Sequence, residues 1–386
     1  MSSFNIPYGR QNITEDDILA VSEVLRGDFL TQGPKIAELE KAFANYVGAT
    51  YAVAISNGTA ALHLCAMALG VNENSRVITS PITFAASANC IRYCGGEVWF
   101  ADIDPENYLL SLDNTRKLLE SKPKGFFNGI IPVDFAGLPV NLEEFRKLAD
   151  EFGCWIIEDS CHAPGGSFVN SKDQVSLCGS GQYADLAIFS FHPVKHIAAG
   201  EGGMITTNDE VLYKKLLTLR THGITKDPDA LEENHGAWYY EMQELGYNYR
   251  ITDFQAALAL SQLARADEGL RRRQEIADRY TEAFKNTELI LPSVTSGKQH
   301  AWHLYVILHK HRKDLYDALR AKGIYAQVHY IPVHTMPYYK KLGWKKGDFF
   351  EAENYYDQCL SLPMFPTLTD DEQNFVIDSI KEFLAK

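Results

Sequence analysis

Nowhere in the 386 residues does an apolar run approach the length of a membrane span. The opening Met1-Ser2-Ser3-Phe4-Asn5-Ile6-Pro7 lacks the basic and apolar regions of a secretory leader, so a cytoplasmic location is expected. Cysteine is scarce and odd in number, with seven residues and no C-x-x-C or histidine-rich ligand spacing. Reduced, mostly buried thiols and no metal site are therefore expected. Positive charge is also short, with 37 Lys and Arg against 50 Asp and Glu and a formal charge of −13. That balance argues against nucleic acid or an anionic membrane as the main partner, while local cations can still bind an anionic small molecule. The one dense basic run, Arg271-Arg272-Arg273, falls in a helical stretch and reads as a solvated face. No internal repeat or low-complexity segment is present.

What is there has the makeup of an ordinary globular enzyme, with 46% hydrophobic and 23% charged residues. The length predicts two domains. From about 12 to 207 helical and strand-like segments alternate, the mark of an α/β sheet with helices on its faces. Helices are predicted over 15–25, with Thr14 as N-cap, and over 35–47. Short apolar runs at 76–79, 98–101, 129–133 and 154–157 suit buried parallel strands. Residues 252–286 read as one long connector helix. Beyond it a strand at 302–308, a helix at 314–322 and a strand at 326–329 suggest a small α+β unit. The expected division is 12–251 and 252–386, with 1–11 packing on the smaller part. Residues 223–240 form the longest expected loop.

The chemistry concentrates at Lys195. It follows an apolar run ending in Ser190-Phe191-His192, and it precedes Gly200-Glu201-Gly202-Gly203 and a second strand-like run. A lysine between buried strands, beside glycines that allow close approach, suits a Schiff-base nucleophile with a desolvated amine. A loop lysine whose head reaches water is the alternative. Ser56-Asn57-Gly58-Thr59 leads from an apolar run into an alanine-rich helix, and it offers amides and a positive helix end to a phosphate, or serves as a plain N-cap. Asp159 stands at the carboxyl edge of an expected strand, where it can hold a pyridine nitrogen protonated or cap the amides that follow. His162 either bonds the same ring or packs in the core. Ser190, five residues before Lys195, can donate its hydroxyl to the same phosphate, and Phe84 either lies flat on an aromatic ring or is core.

Phosphate turn, stacking aromatic, ring aspartate, phosphate serine, lysine: this order resembles that of fold-type-I pyridoxal 5′-phosphate (PLP) enzymes. Phe29-Leu30-Thr31-Gln32-Gly33, Glu158-Asp159-Ser160-Cys161-His162, Ser190–Lys195 and Gly246-Tyr247-Asn248-Tyr249-Arg250-Ile251-Thr252-Asp253 are similar to the DegT/DnrJ/EryC1/StrS sugar aminotransferase family, nearly end to end. Residues 238–246 and 326–332 most resemble its branch in pseudaminic acid biosynthesis. The resemblance implies an α/β fold, with a large PLP-binding domain built on a mostly parallel central sheet flanked by helices, and a small α+β C-terminal domain. It implies Lys195 as the Schiff-base residue and Asp159 as the ring-nitrogen partner. Ser190, Gly58, Thr59 and Ala60 become phosphate ligands, Phe84 the ring neighbour and His162 a contact near the ring hydroxyl. Asn248 matches a residue that reaches the phosphate from the partner subunit, and Arg250 one that meets the substrate anion, which implies a homodimer with shared sites. Relatives that dehydrate their substrate place histidine at the position of Lys195, so the lysine favours transamination.

The implied reaction aminates C4 of a UDP-linked 4-keto-6-deoxy-N-acetylhexosamine of the L-altro series, with glutamate as donor. A dTDP- or GDP-linked 3- or 4-keto sugar is the alternative. Arg220 is a second candidate cation for the diphosphate. The cluster 327–334, with His329 and Tyr330, either faces a uracil or sugar or is a packed strand end. One departure from the family is the longer connection over 167–182. A rival reading as a dinucleotide-binding oxidoreductase rests on Gly179-Ser180-Gly181-Gln182-Tyr183-Ala184, which needs a strand before it and a helix after it. A polar loop precedes it here and a strand-like run follows. A non-catalytic protein on the same fold is a third reading, against which stands the joint presence of Lys195, Asp159 and the phosphate turn.

Overall fold

In the computed structural model, which describes residues 5–385, the short apolar runs become one seven-stranded sheet. Its strands are Tyr51–Ile55 (β1), Arg76–Thr79 (β2), Glu97–Phe100 (β3), Gly129–Ile131 (β4), Trp155–Asp159 (β5), Leu186–Ser190 (β6) and Gly203–Thr207 (β7). Their spatial order is β1-β7-β6-β5-β4-β2-β3. Neighbours are parallel except β7, which runs antiparallel to both β1 and β6. Both faces are buried, because alternate residues serve different cores. Val53, Ile55, Ile188 and Ile205 join one apolar cluster, while Ala52, Ala54, Phe189 and Met204 join another. Helices Glu15–Arg26 (α1), Pro34–Val47 (α2), Gly58–Ala68 (α3), Ala86–Tyr93 (α4), Leu112–Glu120 (α5), Leu142–Phe152 (α6) and Glu210–Arg220 (α7) alternate with the strands. This is the expected mostly parallel α/β architecture.

The long connector is two helices rather than one, Asp253–Leu263 (α8) and Ala266–Phe284 (α9). Arg265 leaves the helical region at the junction, with φ −118° and ψ 17°. The break falls where the chain passes between cores. Ala256 and Ala259 of α8 pack with Leu39 and Phe43 of α2, whereas Ile276, Tyr280 and Phe284 of α9 pack with Leu315, Leu360 and Val376. That second core holds Tyr305–Leu308 paired with Cys359–Leu362. It also takes Ile6, whose strand Ile6–Pro7 pairs with Ile324–Tyr325. Residues 1–4 of the expected 1–11 segment lie outside the described residues.

Two further expectations change. Only Gln327 of the predicted 326–329 strand bridges a neighbour, Ser361. His329 is held by side chains instead, its Nδ1 2.8 Å from Ser361 Oγ and its carbonyl accepting from Tyr355 Oη. Arg273 is not part of a solvated face: it is 1% exposed, and its Nη1 donates to the carbonyls of Trp302 and Met364 at 3.0 Å each. Residues 167–182 form a hairpin, Ser167–Val169 with Val175–Leu177, onto which Lys298–Gln299 adds a third strand. All seven cysteines are free thiols.

Asp17 locks α1 to the helix break. Its carboxylate accepts from Arg265 Nη1 and Nη2 at 2.9 and 2.5 Å and from Gln262 Nε2 at 2.8 Å. Burial alone would raise its pKa, but hydrogen bonds from Arg265, Ser261 and the Thr14 amide, with the Arg265 charge, bring it down to about 2. A depressed carboxyl adds stability that is present above its unfolded pKa, near 4, and is lost as pH falls toward 2. Asp17→Asn is therefore expected to destabilise the fold by about 2–4 kcal/mol near neutral pH. Urea unfolding of the pair should show that gap narrowing as pH drops from about 4 toward 2; a gap independent of pH would remove the charge from this account.

Candidate active site

The parallel pairing of β5 with β6 sets Asp159 opposite Ile188, so Asp159 and Ser190 emerge at one carboxyl edge of the sheet. The start of α3, at the end of β1, reaches the same edge. A cavity of about 860 Å³ opens there, and its walls include Gly58, Thr59, Ala60, Phe84, Asp159, His162, Ser190, Lys195, His329 and Tyr330. Ten of the predicted residues thus come together from five separate parts of the chain.

At one end the backbone forms an anion cradle. Asn57 caps α3, its Oδ1 accepting from the Ala60 amide at 2.8 Å. That occupies the Ala60 N–H, so its predicted part as a phosphate donor does not hold for its amide. The amides of Gly58 and Thr59 have no acceptor within the helix and stay available. Ser190 Oγ accepts weakly from the His192 amide at 3.4 Å, which leaves its own hydrogen to donate. Space is tight at Gly58: a Cβ on it would stand 3.0 Å from Ser190 Cβ and 3.3 Å from Ser190 Oγ, so Ser190 would have to give way.

At the other end is the amine. Lys195 is half-buried, and burial pulls its pKa down to about 8; the Arg273 charge adds to that, while Cys161 and Asp159 push back. Asp159 is buried and accepts from Ser87 Oγ at 2.7 Å and from the Cys161 amide at 3.2 Å. His162 accepts at Nδ1 from the Ala136 amide at 3.2 Å, so Nε2 carries its hydrogen and points at Tyr330 Oη, 3.2 Å away. Burial, then the Lys195 charge, holds this imidazole well below its ordinary pKa and hence neutral. Burial does the same to His329, down to about 3. Phe84 is 60% exposed at the cavity wall, an aromatic face without a packing partner over much of its area.

Three predicted residues stay outside this cavity. Arg220 is spent within the fold, its Nη1 2.6 Å from Glu40 Oε1 and 2.8 Å from the Ala54 carbonyl, so it is no diphosphate ligand in this arrangement. Asn248 is exposed on a segment that bridges Thr221, and Arg250 is half-buried beside it. The structure also supplies wall residues that sequence reading passed over: Tyr8, His63, Tyr249 and His303. His303 sits in a run read only as a strand, and Tyr8 in a segment read only as packing. The glycine fingerprint of the rival reading lies in a turn, Gly179 and Gly181 having φ of +79° and +68°, and it runs into β6 rather than a helix.

With that geometry in view, residues 11–381 match the model of the DegT/DnrJ/EryC1/StrS aminotransferase family. The chain belongs to this family. It is 39% identical to the spore coat polysaccharide biosynthesis protein SpsC of Bacillus subtilis, over 98% of this chain and 97% of SpsC. It is 36% identical to a UDP-4-amino-4,6-dideoxy-N-acetyl-β-L-altrosamine transaminase of Campylobacter jejuni, over 99% of this chain and 98% of that one. Among solved structures, Helicobacter pylori PseC, an aminotransferase in pseudaminic acid biosynthesis, superposes with a TM-score of 0.87 at 29% identity, over 99% of this chain and all of PseC. The protein is thus a PLP-dependent sugar aminotransferase with the fold-type-I architecture.

The residues present fit that cofactor. The Gly58 and Thr59 amides with Ser190 suit its phosphate, Asp159 its ring nitrogen, Phe84 its ring face and Lys195 its aldehyde. Because a methyl group at 58 would press on Ser190, Gly58→Ala should weaken PLP affinity at least about tenfold, or about 1.4 kcal/mol, while leaving the melting curve of the cofactor-free protein nearly unchanged. Equal affinity in a PLP titration of the two proteins would show that the phosphate lies elsewhere.

Proposed function

We propose that this enzyme aminates C4 of a UDP-linked 4-keto-6-deoxy-N-acetylhexosamine, taking the amino group from glutamate, in pseudaminic acid-type sugar biosynthesis. The observation that carries the reaction class is the partly desolvated Lys195 amine in one cavity with Asp159, Ser190 and the Gly58 turn. PLP, when bound, supplies an aldehyde that takes up amino groups and a ring that accepts electrons from the substrate carbon. The chain's residues do the rest. With its pKa near 8, Lys195 is a base of useful strength near neutral pH and can take a proton from one carbon and return it to another. Asp159 provides a buried negative charge for a protonated ring nitrogen. The neutral His162 donates through Nε2, and Tyr330 beside it links that donor to the wall where a sugar would lie.

Support for the substrate is the likeness to the Campylobacter transaminase and to PseC. The likeness to SpsC, at 39% identity against 36% for the Campylobacter transaminase, favours a second reading, an aminotransferase for another nucleotide-linked keto-sugar. A panel of UDP-, dTDP- and GDP-linked 3- and 4-keto-6-deoxy sugars, assayed with glutamate by following 2-oxoglutarate, decides between them. The highest kcat/KM is expected on the UDP-linked 4-keto-N-acetyl sugar; preference for a dTDP- or GDP-sugar would select the second reading. Lys195→Ala is expected to abolish turnover on every member.

A homodimer with shared sites is part of the same proposal. Asn248 and Arg250 lie outside their own chain's cavity, and Arg250 has no ion pair among the described residues. Ile18, Leu19, Leu25, Phe29 and Leu30 leave an apolar surface exposed on and just after α1, which suits a subunit contact. Mixing inactive Lys195→Ala with inactive Asn248→Ala protein should then restore activity, up to about a quarter of the wild-type specific value for random exchange into hybrids with one intact site. An active monomer in sedimentation would defeat the shared-site scheme.

A further inference from the structure

One histidine beside Lys195 has no part in the assignment above. His303 is 4% exposed, and its Nε2 lies 3.4 Å from Lys195 Nζ. Its Nδ1 is buried without a hydrogen-bond partner among the described residues. A buried polar atom left bare is uncommon in folded proteins and costly. The lysine amine is the partner that its Nε2 does have.

The ring is also fixed from several sides. Its centroid is 4.3 Å from that of His162 and 5.7 Å from that of His196. Arg273 Nη1 donates to the carbonyls of Trp302 and His303 at 3.0 and 3.4 Å, which clamps the backbone on which the imidazole rides. Gly137 lets the neighbouring turn approach, since a Cβ there would be 3.0 Å from the His303 amide nitrogen. The imidazole is therefore presented to Lys195 by a backbone with little freedom to move.

We propose that His303 is a positioning residue for Lys195, its Nε2 accepting a hydrogen bond from the amine whenever that amine is not bonded to the cofactor. This rests on the reading of Lys195 as the cofactor-binding lysine. A released lysine has four rotatable side-chain bonds, and one acceptor at its tip narrows where its lone pair or hydrogen can point. The ring serves as acceptor and not as base. Burial opposes a charge on it, and Lys195, His162, His196 and Arg273 around it oppose that charge further, so the shared proton stays on the lysine. The other charged or titratable groups facing the amine are Asp159 and Cys161, which favour its protonated form, Arg273, which opposes it, and His329, whose own charge the lysine opposes. With Nε2 accepting, the ring hydrogen sits on Nδ1.

Two variants separate this role from packing. His303→Phe keeps a ring against His162 and removes the acceptor; His303→Gln restores an acceptor without the ring. In cofactor-free protein, Lys195 can be titrated by pulsed acetic anhydride labelling read at its own peptide by mass spectrometry. The expected result is a midpoint lowered by about one unit in His303→Phe, as the ammonium loses its acceptor, and a midpoint near the wild-type value in His303→Gln. In loaded protein the half-reaction with amino donor should slow by at least about tenfold in His303→Phe and recover in His303→Gln. An unmoved Lys195 midpoint in His303→Phe, or equal defects in both variants, would overturn the proposal. Should His303→Phe not fold, the nitrogen shifts of ¹⁵N-histidine-labelled wild type and Lys195→Ala decide: His303 Nε2 must respond to loss of the amine, and a ring blind to it refutes the role. Borohydride reduction of the loaded wild type, with mapping of the modified lysine, keeps this test distinct from failure of the Lys195 assignment itself.

Discussion

The register of β5 against β6 is the constraint on which the site depends. Ile157 pairs with Leu186 and Asp159 with Ile188, and because the strands are parallel their reactive ends share one edge. A slip of one residue would turn Asp159 away from the cavity and present Glu158 in its place. Glu158 belongs to the other face. Burial, then the charge of Asp134, raises its pKa far above the usual range, so it is held as a neutral acid. Asp134 accepts from Ser160 Oγ at 2.6 Å and from the Val140 amide at 2.8 Å, and Glu158 accepts from the Gly179 amide at 3.0 Å. Asp134, Glu158 and Cys178 place three possible ligand atoms within 4.8 Å of one another; these donors occupy both Asp134 oxygens and Glu158 Oε2, while Glu158 Oε1 is buried without a partner among the described residues. Two adjacent acids on one strand thus meet opposite fates, one neutral and enclosed, the other lining the cavity. Alternation of side chains along the strand is the cause.

Much of this was legible because each element has a local cause. A strand that ends in an acid, a turn rich in small polar residues before an alanine-rich helix, and a lysine before glycines are short-range patterns, and the structure brings all of them to one edge. The sheet strands 76–79 and 154–157 were readable within two residues for the same reason. What stayed hidden depends on contacts distant in sequence. Nothing in 252–286 announces the break at Arg265, where α8 and α9 enter different cores and Arg265 meets Asp17, about 250 residues earlier. Arg220 reads as a free cation until Glu40 is placed beside it, and Arg273 as a surface charge until Trp302 and Met364 surround it. His303 was invisible for a related reason: within an apolar run a histidine carries no local sign of the lysine it will meet.

The hidden contacts share a consequence for how the enzyme binds anions. With a formal charge of −13 the chain has few cations to spare, and several near the site are committed elsewhere. Arg220 ties α7 to α2 and β1, Arg265 holds α1, and Arg273 braces the second core through backbone carbonyls. The anion site proposed at the start of α3 accordingly offers dipoles, namely the free amides of α3 and the Ser190 hydroxyl, which need no counter-charge. Arg250 has no ion pair among the described residues, and it lies outside its own chain's cavity. An uncommitted cation there and dipoles within the cavity suit the proposed division of labour, in which fixed backbone would hold the cofactor and a side chain would meet the substrate's transient charge.

A second consequence concerns the histidines. His162, His196 and His303 crowd around the one amine that must gain and lose a proton, and burial keeps all three uncharged. Charged, they would repel the lysine's ammonium and drive its pKa lower still; neutral, they offer acceptors and donors without competing for the proton. The amine's poise near 8 is then a balance between desolvation and Arg273 on one side and Cys161 and Asp159 on the other. The same low-dielectric surroundings that weaken the ammonium strengthen the hydrogen bonds that orient it. Fixing the amine and tuning it are therefore one design, set by how closely the second core packs its Trp302–His303 turn against the edge of the sheet.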